Sequence, residues 1–311
     1  MPETRENIAL GLAPGDAKSV VNDNIPALLS GQFTLPLQMR LVHATIGVQL
    51  IMGPPMRLLR TLAAAAMLSF AAAPVMAQSA LKDILDSGVL KVGTTGDWNP
   101  MTVKDPATNS YKGYDIDVMT ELAKDMDVEL EFIATDWKTL VNGVVGGNYH
   151  LTGSASISAA RMKAAGYSDS YISVEIRPFT TADKLEKFDG WDSINKGDVK
   201  VAATLGTTFE KLVKEWFPDS SIKAIEAPAL QHQEVLSGRS DVFVTSNIEG
   251  ATLTEKFDKI VPIPVKAARA PTPIAMLLPQ DDQVWINYVN NWIKIKQARG
   301  FFDQTAEKWG L

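Results

Sequence analysis

Cysteine is absent from all 311 residues. That excludes disulfides, thiolate metal sites, cysteine nucleophiles and the acylated cysteine of a bacterial lipoprotein. Histidine is scarce: His43, His150 and His232 are far apart in the sequence, so no metal constellation forms and neither a metal nor a cofactor is expected. His150 reads as a packed or hydrogen-bonded residue at a strand end, and His232 as part of a surface helix with no role. Basic residues are outnumbered, 30 Lys and Arg against 36 Asp and Glu, for a net charge of −6. Nucleic acid needs basic patches to neutralise its phosphates, so it is not an expected partner. Low-complexity tracts are missing as well. What remains is 46% hydrophobic content, and a length that suggests about two domains and allows a substantial core.

The first secure feature is MRLLRTLAAAAMLSFAAAPVMA, Met56 to Ala77. Arg57 and Arg60 form a positive n-region, Thr61 to Ala73 is apolar, and Val75-Met76-Ala77 places small residues at the −3 and −1 positions before a cut. This is a secretory signal peptide; the apolar run is short for a bilayer span, so no permanent membrane anchor is expected. Residues 1–55 show no convincing period and read as a mis-assigned or disordered extension, with Met56 as the true start. A soluble exported protein without a lipid anchor suits the periplasm of a two-membrane bacterium.

After Gln78 strands and helices alternate, the pattern of a mainly parallel sheet covered on both faces. Leu81 to Leu85 predicts a helix closed by Gly88, Val89 to Thr95 a strand, and Gly96 to Pro100 a turn at its C-terminal end. Gly113 introduces a helix with Val118, Met119, Leu122 and Met126 on one stripe. Val128 to Ala134 is a strand, and Asp136 is placed to cap a helix from Trp137 to Val145. Tyr171 to Ala182 is one long extended run, and a second alternation starts at Val199. Ile274 to Leu278 carries the chain back, and helices over Asp281–Ala298 and Phe301–Trp309 dock on the first lobe. Two crossings imply a cleft with hinge strands: lobe 1 from 78–182 and 269–311, lobe 2 from 183–268.

Chemistry concentrates in GSASISAARMKAAGYS, Gly153 to Ser168, which joins a strand to a short Ala-rich helix. Ser154, Ser156 and Ser158 lie two apart and Arg161 follows within a turn. Three hydroxyls, a helix start and a guanidinium that grips both oxygens at once outline a carboxylate receptor; alternatively the serines are helix caps and Arg161 an exposed charge. Leu205-Gly206-Thr207-Thr208, again between strand and helix, offers a second anion hook or a plain cap. Thr207 and Glu210 fit T-x-x-E, a capping box, against any catalytic use of Glu210. Trp98 either stacks on a ligand or covers the sheet edge. Gly153-Ser154-Ala155-Ser156-Ile157 departs from the G-x-S-x-G elbow at its last glycine, so the signal for a hydrolase is weak.

The opening DSGVLKVGTT, the GYDIDV helix start, SxSISxxR followed by YS, the strand-to-helix GTT and the closing aromatic helices together resemble bacterial extracellular solute-binding proteins, family 3. These proteins deliver polar amino acids to ABC transporters, and the resemblance covers Leu81 to Trp309. It implies a two-lobe periplasmic-binding-protein fold (type II), an inner-membrane ABC permease as partner, and a small carboxylate ligand. It further implies that Arg161 grips the carboxylate, that Ser154, Ser156 and Thr208 assist, and that an aromatic near Trp98 flanks the ligand. Members that bind amino acids usually carry an Asp where this chain has Ser246, and a neutral hydroxyl cannot supply the charge-assisted bond of roughly 1.5–3 kcal/mol that Asp gives an ammonium. A carboxylate without an amine, a keto or dicarboxylic acid, gains ground accordingly. Asp97 either pairs with a cation or caps its turn. TTGDWNP also resembles cyclohexadienyl (prephenate or arogenate) dehydratases, exported enzymes on the same scaffold, which implies Glu210 as a general acid. A sensor lobe of a signalling receptor is not expected, since no membrane helix follows Trp309.

The exported protein is expected to begin at Gln78. Intact mass of the secreted product checks this, and retention of any residue before Gln78 rejects the cleavage site.

Overall fold

A computed structural model of the protein describes residues 78–311; the leader at Met56–Ala77 and the segment before it lie outside them. Helix α1 (Ala80–Ser87) is opened by the Ser79 hydroxyl, which accepts from the Leu81 amide, and is closed by Gly88 at a φ of +70°. Strand β1 (Val89–Thr94) follows. β2 (Asp97–Trp98), β3 (Thr102–Lys104) and β4 (Tyr111–Lys112) then make a small antiparallel sheet of their own. The Gly96 to Pro100 segment is therefore more than a turn, because Asp97 and Trp98 are fixed by pairing with Val103 and Thr102.

Helix α2 (Tyr114–Asp125) buries Val118, Met119 and Leu122, the expected stripe. Full burial of each stabilises by about 1.5–3 kcal/mol. After β5 (Glu129–Ala134), helix α3 runs only over Leu140–Val145, not from Trp137. The Asp136 carboxylate accepts from the amides of Lys138 and Thr139 at 2.9 and 2.8 Å, closing a local turn that keeps Trp137 out of the helix. Strand β6 (Leu151–Ser156) carries straight through the first two serines. The Ala-rich helix expected after it is a single 3-10 turn, Arg161–Lys163, before the chain folds back into β7 (Gly166–Tyr167). So short a turn carries little dipole, which leaves the guanidinium as the charge at this point.

The chain continues through β8 (Ile172–Thr181), β9 (Lys200–Thr204), α4 (Thr208–Trp216), β10 (Ser221–Ile225), α5 (Gln231–Leu236), β11 (Val242–Ser246), α6 (Asn247–Lys256), β12 (Ile260–Pro262) and β13 (Arg269–Leu278) to α7 (Gln283–Ala298) and α8 (Phe301–Lys308). The main sheet has the order β10-β9-β11-β8-β13-β6-β1-β5. β5, β1 and β6 are parallel, as are β10, β9 and β11. Between these two groups run β8 and β13, ten residues each, antiparallel to one another and to their outer neighbours. Two lobes are thus joined by a pair of hinge strands. The carboxyl ends of β1 and β6 in one lobe and of β9 and β11 in the other border the site, the position where open α/β sheets bind ligands.

The closing helices return to the first lobe through indole and lysine contacts. Trp285 donates to the His150 carbonyl at 3.1 Å, Trp292 to Asp125 at 2.7 Å and Trp309 to Asp117 at 2.7 Å. Lys296 pairs with Glu121 and Asp125 at 2.5 and 2.7 Å. The His150 ring accepts from the Lys91 amide at 3.0 Å. His232, expected on a surface helix, is instead buried against Phe243 and Phe257, because α5 turns this face onto the sheet; burial, with the charge of Lys256, brings its pKa down to about 4.

Gly250 on α6 lies so close to β8 that a Cβ there would sit 1.9 Å from the ring tip of Phe179. Gly250→Ala is expected to cost about 1–3 kcal/mol through overpacking. Thermal unfolding checks it, with a fall of about 2–4 °C in Tm per kcal/mol for a domain of this size.

Candidate functional site

A cavity lies between the lobes. From the first lobe, Ser154 and Ser156 at the end of β6 and Arg161 on the following turn face it together with Asp97, Trp98 and Trp137. Arg161 is 7% exposed. Its guanidinium makes two long hydrogen bonds, to the carbonyls of Ser156 at 3.4 Å and Gly206 at 3.5 Å, and has no carboxylate partner among the described residues. Burial pulls its pKa down, opposed only by the neighbouring phenol of Tyr167, which itself donates to the Ser156 carbonyl at 2.8 Å. Ser158 lies off the cavity, its hydroxyl accepting from the Arg161 amide at 3.4 Å.

From the second lobe come Thr204, Thr207, Thr208 and Phe209. Thr207 caps α4: its hydroxyl accepts from the Glu210 amide at 3.1 Å and donates to the Thr204 carbonyl at 2.7 Å. The amides of Thr208 and Phe209, first in the helix, have no partner within it and mark an anion-favouring helix start. Glu210 is not in the cavity. One of its oxygens accepts from the Gly206 amide at 2.7 Å and the other pairs with Lys214 at 2.6 Å, so the helix cap and an i,i+4 ion pair occupy both.

Ser246 is also withdrawn from the lining. Its hydroxyl accepts from the Glu249 amide at 3.1 Å, as the cap of α6, and from the Trp98 indole at 3.3 Å across the cleft. Six lining residues, Trp137, Thr204, Phe209, Gln231, Thr245 and Glu249, were not anticipated from the sequence. Trp137 was assigned to a helix that starts three residues later, and it instead donates to both Asp97 oxygens at 2.9 and 3.1 Å. Glu249 is three residues after Ser246, the same S/T-x-x-E spacing as Thr207 and Glu210, and that spacing was the available signal. Its carboxyl accepts from the Thr245 hydroxyl instead of turning back to the cap. Gln231 is buried with its carbonyl oxygen unpartnered.

The acids here are poised unusually. Burial drives Glu249 up to about 8, against the Thr245 hydroxyl, and the charge of Asp97 adds to the rise. Burial also raises Asp97, opposed by hydrogen bonds from Thr95 and Trp137. Asp115, behind Ser154, is pushed by burial to about 7 against the bond it receives from Tyr171. The site thus offers one fixed cation, neutral hydroxyls, and a Glu249 carboxyl that holds its proton at neutral pH.

The lobes are shut over this cavity. Besides the Trp98–Ser246 and Arg161–Gly206 bonds, Lys138 pairs with Glu226, and Gly206, at a φ of +82°, packs so tightly that a Cβ there would lie 2.6 Å from the Lys138 nitrogen.

The model of the bacterial extracellular solute-binding proteins, family 3, matches residues 90–311. The chain belongs to that family. It is similar to cyclohexadienyl dehydratase of Pseudomonas aeruginosa, 27% identical over 81% of this chain and 93% of the relative, and to the glutamine-binding protein of an ABC transporter in Bacillus subtilis, 23% identical over 74% and 84%. Among solved structures it is similar to an ancestral amino-acid-binding protein described as a precursor of cyclohexadienyl dehydratase, 33% identical, with a TM-score of 0.69 over 75% of this chain and 99% of that one. The fold is the two-lobe type II form of periplasmic binding proteins, shared with an arginine-binding protein of T. maritima at 20% identity and a TM-score of 0.68. Among the described residues no helix is long and apolar enough to cross a membrane.

In this family 3 protein the two raised carboxyls make stability fall with alkalinity. Unfolded, Asp115 and Glu249 lose their protons near their ordinary values of 3.8 and 4.5; folded, they keep them to about 7 and 8. Below those ordinary values both states are protonated and nothing is lost, and between there and about 8 the unfolded state gains as pH rises. Urea midpoints are expected to decline from pH 5 to pH 8, and Glu249→Gln to flatten the decline; an unchanged slope rejects the assignment to Glu249.

Proposed function

We propose that this protein is the solute-binding component of an ABC transporter, capturing a small carboxylate in the interlobe cleft and presenting the closed form to an inner-membrane permease. The proposal includes export through the Met56–Ala77 leader to the periplasm and lobes divided at 78–182, 183–268 and 269–311. The observation that carries it is the buried guanidinium of Arg161, with no carboxylate partner among the described residues, beside Ser154 and Ser156 and opposite the first helical amides at Thr208 and Phe209. A carboxylate seated there meets a bidentate cation on one side and a helix start on the other. With Trp98 and Trp137 packing on the remainder, micromolar affinity, about −8 kcal/mol, is within reach.

The ligand is an amino acid or a related organic acid. Ser246 in the usual place of an Asp weakens the case for an α-ammonium, while Asp97, held by the Trp137 indole, is the acid available to receive one. Closure follows ligand only to the extent that the shut form binds it more tightly than the open form.

A second reading rests on Glu249. A carboxyl that keeps its proton to about 8, in the same cavity as an anion anchor, is equipped to act as a general acid. On a prephenate-like substrate it would give that proton to the departing hydroxyl as carbon dioxide leaves, the reaction type of a cyclohexadienyl dehydratase. Glu249, not Glu210, is the residue for that role, because both Glu210 oxygens are committed outside the cavity.

A thermal-shift screen against amino acids, keto acids and dicarboxylates tests the receptor. Arg161→Ala is expected to cost about 2–4 kcal/mol of binding while leaving the unliganded protein as stable as the parent or more so, since an uncompensated buried charge is removed. Equal titration curves for variant and parent reject the anchor. Sustained formation of phenylpyruvate from prephenate, abolished by Glu249→Gln, selects the dehydratase over the receptor.

A further inference from the structure

Ser154 is held in an unfavourable conformation at the cleft wall. Its φ is +58°, in the left-handed region that side-chain-bearing residues seldom enter, and its backbone stays there only if its surroundings hold it. The hold comes from behind the cleft. The Tyr171 phenol oxygen accepts from the Ser154 amide at 3.0 Å, and the phenol hydrogen is donated to Asp115 at 2.6 Å. A phenol has one hydrogen; giving it to Asp115 turns the oxygen lone pairs toward Ser154. The phenol has no freedom to look elsewhere, because its ring is stacked between Tyr114 and Phe302 with centroids at 6.2 and 5.7 Å.

The neighbouring residues make room for this pair. A Cβ at Gly153 would lie 3.2 Å from the Asp115 carboxylate, so glycine leaves the acid its seat. A second, much smaller cavity lies here, lined by Asp115, Gly153, Thr94 and Ser154 among others, and Asp115 Oδ2 is buried without a partner among the described residues. Ser154 lines both cavities, and its own hydroxyl has no partner among the described residues. A fully buried acid with one oxygen unpaired is a poor device for stability alone, since an apolar pair would pack there without the desolvation.

We propose that Asp115 and Tyr171 are positioning residues for the ligand cleft, holding Ser154 in its left-handed turn so that its unpartnered hydroxyl meets the anion bound at Arg161. The proposal rests on the carboxylate-receptor reading of the cleft. The pair acts through the Ser154 amide and touches no ligand itself.

The test uses the full secreted protein, site-resolved amide exchange at Ser154, and acetate as the smallest carboxylate probe, followed by tryptophan fluorescence. Tyr171→Phe and Asp115→Leu are expected to speed Ser154 exchange and to weaken acetate binding by about tenfold or more, while Asp115→Asn, whose amide oxygen still accepts from the phenol, stays within about threefold of the parent. Tm is measured alongside, and a purely structural pair would lower Tm in all three without changing acetate affinity of the folded protein. That result, or unchanged Ser154 exchange in Tyr171→Phe, overturns the proposal. If the parent shows no response to acetate, the receptor reading fails while the exchange measurement still decides the positioning role.

Discussion

The guanidinium of Arg161 is taken out of water with no carboxylate beside it, and a charge so placed costs several kcal/mol that the surrounding fold must supply. Every neighbouring feature fits that constraint. The two carbonyls near it are distant, at 3.4 and 3.5 Å, and leave its donors largely unspent. The acid across the cavity, Glu249, is itself kept neutral by burial and does not cancel the charge. An anion entering the cleft therefore finds a partner already stripped of solvent. Preorganisation of this kind reduces what association has to spend on reorganising the site.

The same constraint explains why the site sits where it does. Here the charge is buried between two groups of parallel strands, which the antiparallel pair β8 and β13 joins. The two walls are chemically unequal. The first lobe contributes the cation and the serine hydroxyls, whereas the second contributes a helix start and a carboxylic acid. Trp98 and Trp137, edge to face with centroids 6.0 Å apart, form an apolar flank beside them. On the receptor reading proposed above, that inequality orients a ligand, with its anionic end between Arg161 and the helix start and the remainder facing the acid, the Gln231 amide and the indoles.

Much of this was legible in the residues. The alternation after Gln78, the long extended run that became β8, the apolar run that became the second half of β13, and the convergence of Arg161 with Ser154, Ser156, Thr207 and Thr208 follow from patterning that tertiary contacts did not override. The misreadings have local causes. A carboxylate before a run of helix-compatible residues looks like a cap, yet the Asp136 side chain closed its own turn and released Trp137 into the cleft. Two identical spacings, Thr207 to Glu210 and Ser246 to Glu249, met opposite fates. The first glutamate, equally buried, pairs with Lys214 one turn on and accepts from the Gly206 amide, while the second accepts from the Thr245 hydroxyl on the cavity wall. Patterns of three residues cannot distinguish these outcomes, since the partner that decides lies elsewhere on the helix or across the sheet.

Gly206 carries a kinetic consequence. Its backbone lies against Lys138, and an indole reaches from Trp98 to Ser246, so two contacts bridge the lobes beside the cavity. On the receptor reading proposed above, a captured molecule leaves no faster than the hinge strands let these two surfaces part. Dwell times for tight guests should converge on one ceiling rate that belongs to the polypeptide, so among such guests selectivity is exercised at entry and sealing and not at escape.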